Sequence, residues 1–184
     1  TAVPAERLER VLAVSRAFLT ITPLLAIYID PSEPARLREV TYGVLLAYAI
    51  YSVVVWAYVH DATRLTSRHT YTLHGLDILW TSALTFVSQG PISPFFMFFL
   101  FVVLAGAYRW GFRETLGTAM VTIVVFLVET GIAVAGPWKT TIFSSIEFDL
   151  DVTILRAAYL LMTGVLLGYL AEQDKAARAE LAAM

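Results

Sequence analysis

Residues 74–116 read HGLDILWTSALTFVSQGPISPFFMFFLFVVLAGAYRWGFRETL. This stretch decides the fold: two long apolar segments are joined by a short Gly-Pro/Ser-Pro turn and closed by an arginine-rich edge. Ser93 to Tyr108 holds no charge and is packed with Phe, Leu and Val. In lipid such a segment must satisfy its own backbone donors and acceptors, which a helix does. Gly90, Pro91 and Pro94 break the helix where the chain reverses. Arg109, Trp110 and Arg113 read as an aromatic and cationic anchor at a membrane surface.

The rest of the composition agrees. Of 184 residues, 58% are hydrophobic, and the mean hydropathy is +0.70. Soluble domains are nearer 45–50% apolar, so the excess must face something other than water. The net charge of −2 gives no reason to expect nucleic acid or another strongly charged partner. Without cysteine there are no disulfides, thiolate metal sites or Cys nucleophiles. No cleavable signal peptide is visible. Thr1 and Met184 read as the ends of a piece trimmed from a longer protein.

A spanning helix needs about 20 mostly apolar residues, and six segments approach that. They run from about Leu8 to Ile29 with a bend at Pro23, Val40 to Val59, Thr70 to Ser88, Pro94 to Tyr108, Glu114 to Ala135, and Val152 to Ala171. Polar breaks fall at 30–39, 60–69 and 136–151. With the N-terminus inside, the inner flanks hold Arg7, Arg10, Arg64, Arg68, Arg109, Arg113, Lys175 and Arg178; the outer loops hold Arg36, Arg38 and Lys139. That bias places both termini in the cytoplasm. The expected fold is therefore all-α, with six transmembrane helices in residues 1–171 and the start of a cytoplasmic helix in 172–184.

Ionisable groups inside spans cost something like 2.5–3.5 kcal/mol each on insertion scales, so they face the bundle interior and have partners. Arg16, Asp77, Glu129 and Arg156 are such groups. Arg16 and Asp77 lie at one depth and Glu129 and Arg156 at another, which predicts two ion pairs, Arg16–Asp77 and Glu129–Arg156. His74, Asp77 and Trp80 follow at i, i+3 and i+6, roughly one helical face. Arg16, His74, Asp77, Trp80, Glu129 and Arg156 are thus the candidate ligand-binding residues, for a small lipophilic or membrane-resident molecule. The spacings of His60, His69 and His74 match no ligand box, and neither metal nor haem is expected. Between 142 and 152, apolar and acidic residues alternate with a period of two, which predicts an extended segment.

The last segment carries Gly164 and Gly168, a GxxxG read as a dimerisation face. It continues without a breaker through EQDKAARAELAAM, whose residues are good helix formers. A span leaving the membrane as a rigid rod is suited to passing movement to a cytoplasmic domain.

HGLDILW, the SPFFMFFLFVVLAGAYRWGFRETL run and the LGYLAEQDKAARAE exit resemble the amino-terminal multi-spanning region of bacterial membrane sensor histidine kinases. The resemblance implies a homodimer in the bacterial inner membrane, with dimerisation/phosphoacceptor and ATP-binding modules beyond Met184. None of the kinase motifs lies in this chain, and no catalytic residue is carried over. Two other expectations compete: a small transporter or channel subunit using Asp77 and Glu129, and an integral-membrane enzyme with Asp77 and His74 as acid and base.

Overall fold

Phe98, Phe99, Phe101, Val102, Val103 and Ala105 are all buried on one short helix, and Met97 and Tyr108 mark the side it leaves exposed. A helix that is apolar all round belongs inside other helices, and this one is the hub of the fold. The computed structural model describes residues 5–29, 38–61, 67–88, 90, 93–135 and 150–183. Among them all regular elements are helical: α1 (Ala5–Ile29), α2 (Arg38–Asp61), α3 (Ser67–Ser88), α4 (Met97–Arg109), α5 (Phe112–Ala135) and α6 (Leu150–Ala183), with a 3-10 turn (Pro94–Phe96) leading into α4. α4 touches α1, α3, α5 and α6, while α2 packs on α1 and α3, and α6 on α5. Three stretches are long and apolar enough to cross a membrane: Glu39–Tyr58, Phe112–Ala135 and Leu150–Leu181. Pro94–Arg109 is apolar but shorter.

The polarity of the helices is inverted relative to a protein in water. On α1, Glu9, Leu12, Ala13, Arg16 and Thr20 are buried, at the i, i+3, i+4, i+7 spacing of one face. The opposite face exposes Val11, Val14, Phe18, Ile21 and Leu25. Buried charge beside exposed large apolar side chains is the informative departure from the usual pattern.

The turn before α4 forms as its composition predicts. Gly90 takes a positive φ of 58°, which favours glycine. Its carbonyl accepts from Ser93 N at 3.0 Å. The Ser93 hydroxyl caps the 3-10 turn by accepting from Phe95 N at 3.1 Å. Pro94 follows, at a position whose N–H has no helical partner in any case. Arg156 of α6 clasps this turn, donating Nη1–H to the Ser93 carbonyl at 3.0 Å and lying 4.9 Å over the Phe96 ring.

Several boundaries differ from expectation. α2 and α3 extend into the 60–69 loop from both sides, as far as Asp61 and Ser67. α1 begins at Ala5, three residues before the expected start, and carries Pro23 inside the helix as expected. Leu150, Asp151 and Val152 are helical, the first turn of α6; the rest of the expected extended segment lies outside the described residues. α6 runs unbroken for 34 residues, roughly 51 Å at 1.5 Å per residue.

Gly164 and Gly168 face α5 of the same chain. A Cβ on Gly164 would collide with Ala119 Cβ, and one on Gly168 would fall 3.0 Å from the Phe112 ring and 3.3 Å from its backbone. The small-residue stripe is spent within the chain, letting α6 approach α5 closely. Gly164→Ala should therefore destabilise the fold by about 1–3 kcal/mol, the range for overpacking. Combining it with Ala119→Gly should restore most of the loss. Thermal unfolding in detergent checks this: an unaffected single variant, or an unrescued double, would show that the two helices do not meet at this point.

Candidate functional site

At one end of the bundle meet the start of α1, the start of α3, the end of α4 and the start of α5. Four ionised side chains close on one another there. Arg16 presents its Nε–Nη2 edge to Asp77, with Nε–Oδ1 and Nη2–Oδ2 both at 2.7 Å. Arg109 does the same to Glu9, with Nε–Oε1 at 2.7 Å and Nη2–Oε2 at 2.8 Å. The two forks are tied together: Arg109 Nη1 reaches Asp77 Oδ2 at 3.4 Å, and Arg16 Nη2 lies 4.0 Å from Glu9 Oε2. All four side chains are at most 2% exposed. Two guanidiniums against two carboxylates leave the group neutral, the condition under which buried charge is tolerated. Bidentate pairing also fixes orientation as well as distance.

His74 closes the network on the α5 side. Arg109 Nη1 lies 3.0 Å from His74 Nδ1, and a guanidinium can only donate, so Nδ1 accepts. The ring proton is then on Nε2, which donates to Thr118 Oγ1 at 3.0 Å. Thr118 in turn donates to the Glu114 carbonyl at 2.9 Å. This crossing between α3 and α5 passes α4 at Gly106, where a Cβ would fall 3.1 Å from Thr118 Oγ1 and 3.6 Å from His74 Cε1. Trp110 covers the imidazole edge-on at 4.9 Å and stacks on Tyr71 at 4.7 Å.

Of the residues expected to form a site, Arg16, His74 and Asp77 are brought together, and the Arg16–Asp77 pair forms. Trp80 sits beside them in an aromatic group, its ring 5.7 Å from Tyr48 and 5.8 Å from Tyr51. The Glu129–Arg156 pair does not form. Glu129 faces α3, where it accepts from Thr85 Oγ1 at 2.7 Å and from the Ser82 hydroxyl. Arg156 is turned toward Ser93 and Phe96 instead. Glu129 turns to α3 and Arg156 to the turn before α4, which a count along each helix does not capture.

Glu9, Arg109 and Thr118 were missed from the sequence. Arg109 reads as a surface anchor because it ends an apolar run, yet its side chain is only 1% exposed. The signal that was present is the seven-residue spacing of Glu9 and Arg16, two helical turns on one face. Among the described residues no group of three or more His, Asp or Glu is placed to hold a metal ion. Outside the network, α1, α4 and α6 border an open apolar furrow of about 620 Å³, lined by Val14, Phe18, Leu100, Leu104, Thr163 and Leu167 among others.

Removing one partner strands a buried charge. Asp77→Ala should cost about 3–5 kcal/mol, whereas Glu129→Gln, which still accepts one hydroxyl bond, should cost about 1–3 kcal/mol. Denaturation of the two variants in the same detergent orders them; equal losses would mean that Asp77 does not hold the network. Comparison with protein-family models, with curated proteins and with solved structures finds no match, so the chemistry of this cluster is read from its own geometry.

Proposed function

We propose that the chain is the sensor module of a membrane histidine kinase: six helices cross the bacterial inner membrane, both termini lie in the cytoplasm, and α6 relays a cue to output domains of a homodimer. One observation carries it. α6 leaves the bundle without a break: from Glu172 to Leu181 its residues are exposed, yet the helix persists to Ala183. An isolated helical end of this length is marginal in water, so it needs a partner, and a second α6 is the one that a dimeric relay supplies. The resemblance of the 74–116 stretch and of the α6 exit to sensor kinases points the same way.

The remaining features fit that assignment. α1 and α3 bury Arg16 and Asp77 at mid-helix and show Phe18, Ile21 and Leu79 outside, as crossing helices must. α4 is short for a bilayer, but it packs on α1, α3, α5 and α6, so little of its length need match lipid. The start of α1 and the end of α6 lie at one end of the bundle, since Arg109 pairs with Glu9 and its near neighbour Phe112 donates N–H to Glu172 at 3.4 Å. With Arg109 withdrawn into the network, seven basic residues remain on the inner flanks against three outside, and the orientation is kept. A lipophilic cue has a place in the furrow, where it would touch α6 directly through Thr163 and Leu167. A ligand biases only states it contacts differently. The acid–base and transport readings gain nothing comparable, because Asp77 and His74 spend their polar atoms on Arg16, Arg109 and Thr118, and Glu129 spends its own on Ser82 and Thr85.

The absence of cysteine makes the test direct. Single cysteines introduced along 155–181 should form disulfide dimers in membranes with helical periodicity. The strongest should lie on the exposed face that includes Leu166, Leu170 and Leu181, away from Gly164 and Gly168. No cross-linking at any position, or cross-linking centred on the glycines, would defeat the proposal.

A further inference from the structure

Arg16 and Tyr51 each bury a polar atom that no protein group satisfies: Arg16 Nη1 and the Tyr51 hydroxyl. For Arg16 the cause is the side-on fork. Its Nε–Nη2 edge is committed to Asp77, which leaves Nη1 on the far side of a guanidinium that is 0% exposed. Tyr51 comes from α2, where its ring is held 5.9 Å from Tyr48 and 5.8 Å from Trp80. Trp80 stands three residues, about one turn, from Asp77 on α3, which sets the Tyr51 ring beside the network. So α2, which gives no hydrogen bond to the charge network among the described residues, buries one unpartnered hydroxyl beside it.

We infer that a small neutral hydrogen-bond acceptor sits at Arg16 Nη1 and the Tyr51 hydroxyl, joining α2 to the charge network. The chemistry narrows the occupant. Nη1 can only donate, so the occupant accepts. The network is already balanced, two arginines against two carboxylates with His74 neutral by its hydrogen bonds. An anion would add uncompensated buried charge, and a cation would face the donors of a guanidinium. Water satisfies these terms, and so does the carbonyl or hydroxyl oxygen of a lipophilic molecule entering from the membrane. The inference stands apart from the relay through α6 and concerns the folded module alone.

Tyr51→Phe decides it by the sign of its effect. An unsatisfied buried hydroxyl is a burden, so deleting it would raise the melting temperature; a hydroxyl bonded to an occupant is an asset, and deleting it lowers stability. The expected result is a fall of about 2–4 °C for a chain of this size. No change or a rise overturns the inference. A structure resolving ordered water gives a second reading: density within hydrogen-bond distance of Arg16 Nη1 and the Tyr51 hydroxyl supports it, and a dry contact there refutes it. Repeating the melt after exhaustive delipidation separates the sources. A wild-type–variant difference that persists assigns water; one that vanishes with a drop in wild-type stability assigns a membrane molecule, to be identified by mass spectrometry of the extract.

Discussion

The fork between Arg16 and Asp77, locked to the fork between Arg109 and Glu9, is the constraint on which the rest depends. Each of the four side chains, left alone in this environment, would carry a desolvation cost of several kcal/mol. Together they are neutral, and most of their donors and acceptors are matched. The pairing joins α1, α3 and α4, and it does so at short distances that tolerate little sliding. A one-residue slip of any helix would rotate a charge by about 100° and leave it facing an apolar neighbour. Apolar packing alone specifies register weakly where the surroundings are as apolar as the core. The charges supply what the packing cannot.

Much of this was legible in the sequence, but unevenly. Hydropathy and breakers locate the helices well, because a long apolar run bounded by Gly, Pro and charge has few other readings. The Arg16–Asp77 contact was also legible: both residues interrupt apolar runs, so each needs a partner, and equal depth names it. The same reasoning failed for Glu129 and Arg156. Depth gives one coordinate, and rotation about the helix axis gives the other. Glu129 falls on the face of α5 that includes Thr122, Phe126 and Ala133, and from there it reaches α3. Hydroxyls of Ser82 and Thr85 can satisfy a carboxyl group, so no arginine was required. Arg109 was misread for the opposite reason: a basic residue at the end of an apolar run is usually an interfacial anchor, and nothing local distinguishes one that turns inward.

The glycines of α6 teach a related lesson. GxxxG marks a helix face that another backbone approaches, without stating whose. Here the approaching helix is α5 of the same chain, at Ala119 and Phe112. The exposed face of α6 is then the broad apolar one, Leu155, Tyr159, Met162, Leu166 and Tyr169 among it. For a relay this arrangement is the more useful one. In the proposed relay, the close α5–α6 seam makes α6 follow α5, while a seam between copies on the exposed face can change.

The route from the network to α6 is short. Arg109 ends α4, and the corner Trp110–Gly111 leads at once into Phe112 of α5. Phe112 packs on Gly168, and its N–H meets Glu172, while Lys175 lies over Gly111. In the proposed relay, a shift of the Arg109 guanidinium against Glu9 would be felt at the corner, and α6 meets the corner at the level where it leaves the bundle. Coupling of this kind needs an element with two arrangements that both ends can bias. The corner qualifies better than the helices on either side of it, since a stiff helix transmits displacement but does not create an alternative. Trp110, stacked on Tyr71 and capping His74, is the side chain that any second arrangement of the corner must move.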